Sequence, residues 1–331
     1  MTEQFFGSLE SSIYLLSSIS SLAENITVLP IINTNHSTHI AAKLPCPPYV
    51  IVGQNQISHP SLADDKERAH LRAVSLVDDE DGTLPPGTLA SLNGSMRNIH
   101  FSKSNGVDAL PGMIERVFYV NPYGNEVLLS ANPKVINALR NADALIYSIG
   151  SLFTRLPILY LTFLTCSIIP CLIPKGIAKA ITESPNLKFK ILLLNNSFDR
   201  ETTGFVSATD YVKAIIKACQ ESLSPPHVHP RSPTGRSPQI PEPSREDDAD
   251  WSRYVTHMVY LRGCEITVDT LELKGKGVEC VGVWASQTED KVYESGVLGR
   301  VLTGICSGRG GGLQRRATVQ NYPIRQTYKT D

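Results

Sequence analysis

The chain has 331 residues, 41% of them apolar and 19% charged, with a formal net charge of −1. Those figures fit one large α/β domain or two small ones with a sizeable core. Near-neutrality removes the electrostatic basis for nucleic acid or an anionic membrane as partner. A basic cluster at Arg309, Arg315 and Arg316 lies in a Gly-rich tail and reads as a solvated terminus.

The seven cysteines, at 46, 166, 171, 219, 264, 280 and 306, are odd in number and include no Cys-x-x-Cys pair. They support neither a disulfide framework nor a zinc site. The opening MTEQFFGSLESSIYLL lacks the basic n-region of a secretory signal, so a cytoplasmic location is expected.

In chain order, Leu9, Ile13, Leu16, Ile19 and Leu22 recur at near-helical spacing and predict a helix over 8–22. Short strands follow at 26–32 (ITVLPII), 49–54 (YVIVGQ) and 114–120 (IERVFYV). Between the last two, 61–112 is rich in Asp, Ser, Gly and Pro and reads as an irregular excursion. From 114 onward strand and helix alternate. Asn132 caps a helix that Pro133 begins. Strands at 143–149 and 189–196 follow, the second apolar throughout as a central parallel strand requires. Ser207 and Asp210 have the spacing of a capping box at the start of the next helix. Residues 221–250 are Pro, Ser and charge, a disordered loop whose His227 and His229 lack the fixed backbone a metal site needs. Two more strands, in 254–261 and 278–285, and a closing helix within 292–306 complete the pattern, and 307–331 reads as a flexible tail. The alternation predicts a parallel sheet covered on both faces.

Open parallel sheets bind ligands beyond the carboxyl ends of their strands. There the strand at 143–149 runs into Gly150-Ser151-Leu152-Phe153-Thr154, a tight turn that would open a helix and present free N–H groups to phosphate. Other strand ends add Asn33, Thr34, Asn35 and His39; Gln54, Ser58 and His59; Asn121; and Asn195, Asn196, Thr202 and Gly204. Each alone is an ordinary turn or cap residue, and together they outline a shared polar cleft. No Ser-His-Asp order, P-loop or dinucleotide glycine fingerprint is present. Residues 156–174 carry no charge and are long enough to cross a bilayer, but prolines at 157, 170 and 174 argue against one membrane helix.

The segments FFGSLESSIYLLSSI, VLPIINTN, IVGQNQISHPS, ERVFYVNP, ANPKVINALRNADALIYSIGSLFT, SIIPCLIPKGIAKAI and ILLLNNSFDRETTGFVSATDYVKAI appear in that order. In this they resemble the family joining the 2-phospho-L-lactate transferases (CofD-like) to the bacterial UDP-sugar-binding gluconeogenesis factors (YvcK-like). The resemblance covers mainly 5–60 and 114–218 and is weaker from 254 to about 306. It implies a Rossmann-like three-layer α/β/α fold with a mostly parallel sheet, and a single domain over 1–306. In the transferase branch a deazaflavin hydroxyl attacks the phosphate of a lactyl-diphospho-guanosine donor and GMP leaves, assisted by Mg2+. That activity is transfer of a phosphorus-containing group. In the other branch the cleft holds a UDP-sugar without known reaction.

Both uses imply a diphosphate cradle, and the family's turn matches Gly150, Ser151, Leu152, Phe153 and Thr154, with Ser167 displaced. Thr34, Asn35, His39 and Asn195 fall on positions that line the family's cleft. No catalytic residue is assigned, the partner is a nucleotide or nucleotide-sugar, and a homo-oligomer is left open. Two departures stand out. The family's opening strand, its Gly-Gly-Thr-Gly turn and an acidic segment carrying the implied Mg2+ ligand are not found, so the sheet should be incomplete on that side, with an edge to cover. Residues 155–166 separate Thr154 from Ser167, and removing them restores an uninterrupted family segment, so they read as an apolar insertion. An inactive truncated or mis-spliced form is therefore a third reading.

Overall fold

The computed structural model describes residues 9–19, 26–45, 49–58, 109–148, 150–153, 167–224, 250–286 and 292–308. The insertion 155–166, most of the excursion and of the 221–250 loop, and nearly all of the tail lie outside them, as do Thr154 and His59.

A four-stranded parallel sheet, in the order β4 (Ala144–Tyr147), β5 (Phe189–Leu193), β6 (His257–Leu261), β7 (Glu279–Val283), forms the centre of the α/β fold. Both faces of β5 are covered, as its apolar run predicts. Ile191 and Leu193 pack with Val259 and Val283 against Val301 and Ile305 of the closing helix α8 (Ser295–Cys306). Leu192 faces the larger core on the other side, built from Ile177, Ala178 and Ile181 of α5 (Ile177–Glu183) and Val212, Ile215 and Ile216 of α6 (Ala208–Leu223). Tyr147 ties β4 into this core, its hydroxyl donating to the Tyr254 carbonyl at 2.8 Å. Among the described residues β4 is an edge strand, and Ile146 on it is 41% exposed. The expected open side of the sheet is therefore at β4.

A second sheet is antiparallel, in the order β2 (Tyr49–Val52), β1 (His39–Leu44), β3 (Arg116–Val120). It was not legible as such. His39–Leu44 reads too mixed for a strand, yet Ala41 and Ala42 are fully buried in its middle. Conversely, the strand expected at 26–32 does not form, and of it only Ile32 makes an isolated bridge, to Ala131. Ile26 and Thr27 are exposed, and Val28, Ile31 and Ile32 lie partly buried outside any named strand. Gln54, expected as a strand end, opens the short helix α2 (Gln54–Ser58).

The helix-boundary chemistry follows the sequence. α1 (Leu9–Ile19) lies within the expected 8–22, and residues 8 and 20–22 lie outside the described residues. Asn132 caps α3 (Pro133–Asn141) by accepting from the Lys134 amide at 3.0 Å, and its own amide group donates to Glu10 of α1 at 3.1 Å. Asp210 accepts from the Val206 and Ser207 amides at 2.8 and 3.0 Å, closing the capping box of α6. That helix runs to Leu223, so the disordered loop cannot start at 221. The helical amphipathy of 208–223 outweighs the polar composition that follows it.

Candidate functional site

The carboxyl ends of β4 and β5 lie side by side, and the turns after them are bonded together. Asn195, just past β5, donates through Nδ2 to the Gly150 carbonyl at 3.1 Å. The Ser151 carbonyl accepts from the Ile168 amide at 3.4 Å and the Leu152 carbonyl from the Ile169 amide at 2.9 Å. The side chains of Leu152 and Phe153 are anchored in the core, at 1% and 4% exposure. The carbonyls of Gly150, Ser151 and Leu152 are thus occupied. Among the described residues, no backbone carbonyl accepts from the amides of Gly150, Leu152 or Phe153.

Residues 168 and 169 are thus bonded directly to 151 and 152, and the expected insertion 155–166 lies outside the described residues. Leu152 and Phe153 are bends, and the residues expected to open a helix after them lie outside the described residues; the next described helix, α4 (Ile168–Leu172), has five residues with Ser167 at its N-cap. The donors described at this turn are peptide N–H groups. Among the described residues no helix is long and apolar enough to cross a membrane. The part of 156–174 that is described folds into α4, with Ile168, Ile169 and Leu172 buried.

The Ser151 hydroxyl donates to the carboxylate of Glu201, which is only 2% exposed. Glu201 belongs to a 3-10 turn, Arg200–Thr202, which Asp199 caps by accepting from the Thr202 amide at 2.9 Å while its own amide donates to the Thr202 hydroxyl at 2.9 Å. Gly204 leaves the turn at φ +90°, and Phe205 then packs edge-on against Phe153 and Tyr211, with ring centroids 6.1 and 5.2 Å apart. Tyr211 is 3% exposed, and burial pushes its phenol well above the usual range. The sequence DRETTGF thus builds the wall that fixes Ser151. Glu201 was not singled out from the sequence, and the only signal for it was an acidic residue inside a hydroxyl-rich turn at a strand end.

The remaining site residues divide. Gly150, Ser151, Leu152 and Asn195 are brought together. Thr34, Asn35 and His39 precede β1 rather than follow a strand; the Thr34 hydroxyl accepts from the His36 amide at 3.1 Å, and His39 begins β1. No hydrogen bond joins these three to the Gly150 turn among the described residues. Asn121 accepts from the Tyr123 and Asn125 amides, both at 3.0 Å, which is the turn-forming role. Ser58 donates to the Gln54 carbonyl inside α2 at 2.9 Å. Sequence reasoning also missed Arg262 and Trp284, just past β6 and β7. The guanidinium lies 5.3 Å from the Trp284 ring centroid, and that ring is 59% exposed at the same edge of the sheet.

Over residues 1–232 the sequence matches the family described as 2-phospho-L-lactate transferase CofD. The chain belongs to the CofD family. It is also 34% identical over 323 residues to the uncharacterized protein YNL011C of Saccharomyces cerevisiae, an alignment covering 91% of this chain and 65% of the yeast protein. The chain therefore spans about two thirds of the length of that relative. Two crystal structures of protein BH3568 from Bacillus halodurans share the fold. One matches with a TM-score of 0.51 at 16% identity, covering 93% of this chain and 68% of the other. The second, described as a member of the UPF0052 family, matches with a TM-score of 0.53 at 15% identity, covering 91% and 68%.

Among the described residues no group of three or more His, Cys, Asp or Glu side chains could hold a metal ion.

Proposed function

We propose that the chain binds a phosphate-ester nucleotide beyond the carboxyl end of β4, in the manner of a 2-phospho-L-lactate transferase. The observation that carries this reading is the asymmetry of the Gly150–Phe153 turn. The carbonyls of Gly150, Ser151 and Leu152 are occupied from inside, while the amides of Gly150, Leu152 and Phe153 have no backbone acceptor among the described residues. Peptide N–H groups gathered in this way suit an anionic oxygen. The Ser151 hydroxyl is committed to Glu201, so its part is to hold the turn in shape. Asn195 is a positioning residue that acts through the Gly150 carbonyl. Thr34, Asn35, His39 and Thr154 complete the proposed cleft without individual roles.

Transfer at such a site needs no protein nucleophile. The acceptor hydroxyl oxygen bonds to the phosphorus that carries the lactyl group, the bond from that phosphorus to the GMP oxygen breaks, and the hydroxyl proton passes to solvent. Catalysis comes from holding donor and acceptor in line and from stabilising charge on the phosphate oxygens. Family membership supports this chemistry at the level of the family, and the donor and acceptor for this chain are part of the proposal.

The test is calorimetric titration of the chain with GDP, a lactyl-diphospho-guanosine donor and a UDP-sugar, followed by assay of turnover with a deazaflavin acceptor. Guanosine binding with turnover supports the transferase reading. Uridine binding without turnover transfers the site to a non-catalytic UDP-sugar regulator. Gly150→Val combined with Ser151→Ala should weaken either nucleotide severely. Unchanged affinity in that double variant overturns the site, and no binding of any nucleotide by a folded chain leaves the truncated-form reading standing.

A further inference from the structure

A cavity of about 170 Å3 lies between the segment that enters β3 and one face of α6. Asp210, Lys213, Ala214, Lys217, Ala218 and Glu221 line it from α6, at the i, i+3, i+4, i+7, i+8 and i+11 positions of a single helical face. Phe153, Ile169, Phe205 and Val117 give it an apolar lining. Phe153, Ile169 and Val117 are nearly fully buried and so fix its shape. An apolar cavity of about 150 Å3 takes a benzene ring, so the space suits one ring or a branched chain of similar bulk.

The charges on its wall are unequally committed. Glu115 pairs with Lys43 at 3.4 Å. Asp210 is engaged by the Val206 and Ser207 amides. Arg116 forks onto Glu126, and its Nε lies 3.8 Å from Glu221. Every carboxylate of the wall therefore has a partner, and so does the guanidinium. Lys213 and Lys217, one turn apart on α6, form no close ion pair among the described residues, although Lys217 lies near enough to Glu221 to oppose the rise that burial gives that carboxyl. An apolar lining beneath two ammonium groups, neither locked in a close ion pair, matches a ligand with the opposite arrangement.

We propose that this cavity is a second ligand site, separate from the nucleotide cleft, for a compact apolar carboxylic acid whose ring or branched chain enters beside Phe153 and Phe205 while its carboxylate meets Lys213 and Lys217. Phe153 is the wall the two sites share, since it also ends the Gly150 turn. The proposal needs no nucleotide, and its test contains none.

Phenylacetate, phenylacetamide and acetate, titrated calorimetrically into the full chain at low ionic strength, separate the two halves of the recognition. Phenylacetate should bind saturably, and the neutral amide and the ring-free acetate should each be weaker by about tenfold or more. Ala214→Leu, which fills the cavity from α6, should abolish phenylacetate binding at an unchanged thermal midpoint. Lys213→Met with Lys217→Met keeps the aliphatic stems and should erase the preference for acid over amide, which keeps the proposal testable even if Ala214→Leu does not fold. Equal affinity for acid and amide, binding that survives a folded Ala214→Leu, or no saturable binding of phenylacetate would each overturn it.

Discussion

Asn195→Ala probes the bond that joins the two strand ends. Asn195 Nδ2 donates to the Gly150 carbonyl at 3.1 Å from a half-buried position, linking the segment after β5 to the turn after β4. Removing it forfeits a hydrogen bond worth about 1 kcal/mol net and leaves a carbonyl short of a partner, so the stability loss should be about 1–2 kcal/mol. The effect on ligand affinity has a separate origin. If Gly150 is no longer held, its backbone must be ordered by the ligand, at a cost of about 1–2 kcal/mol for one residue, or roughly 5- to 30-fold in affinity. Urea unfolding at constant m-value reads the first quantity. Nucleotide titration reads the second, with Trp284 fluorescence as signal, because Trp284 is exposed at this edge while Trp251 is 1% exposed. Asn195→Asp replaces the donor with an acceptor facing a carbonyl and should be worse than Ala on both counts. If Ala lowers stability but leaves affinity unchanged, the Gly150 turn is not where the ligand binds. If Asp is tolerated like Asn, the hydrogen bond itself is misassigned.

Three further outcomes follow from the packing. Gly204→Ala puts a side chain at φ +90° and a Cβ 3.1 Å from the Met113 Cβ, an atom that moves only with its backbone, so the contact adds to the strain of about 1–2 kcal/mol and the loss in urea unfolding should exceed it. Asn132→Ala removes both the cap of α3 and the link to Glu10, and should cost about 1–2 kcal/mol, whereas Asn132→Ser keeps the cap and should recover most of it; amide exchange in the first turn of α3 distinguishes them. The His257 imidazole is held below its ordinary pKa by burial, partly offset by Glu279 at 3.5 Å. The unfolded chain therefore binds that proton more readily, and stability is present above the unfolded value near 6.5 and lost as pH falls below it. His257→Gln should flatten the urea midpoint across that range, and an unchanged slope would contradict the assignment.

The legible parts of this chain were those set by local chemistry. The apolar run Ile191–Leu194 announces β5, because a strand buried on both faces shows little polar side. Asn132-Pro133 and Ser207…Asp210 fix two helix starts through hydrogen bonds contained within a few residues. The antiparallel sheet was hidden for the opposite reason. Ala41 and Ala42 pair with Val52 and Ile51 on one side and with Phe118 and Val117, far along the chain, on the other. Two alanines carry little strand propensity until those neighbours arrive. ITVLPII has the propensity but contributes only the isolated bridge from Ile32 to Ala131. At the site, Gly150 and Ser151 were visible as a glycine-hydroxyl turn at a strand end, but the buried Glu201 that holds Ser151 comes from another turn, after β5, and only the fold brings them together. Thr34, Asn35 and His39 look polar and site-like in sequence, and the structure places Thr34 and Asn35 ahead of β1 and His39 at its first residue, so none of them follows a strand.

Titration of the 15N-labelled chain with inorganic pyrophosphate, followed residue by residue, bears most directly on the anion-binding turn. The amide protons of Gly150, Leu152 and Phe153 should move downfield together and saturate at one common concentration, as hydrogen bonds to an anionic oxygen form. Saturable shifts confined to other residues, with these three amides unmoved, would contradict the account.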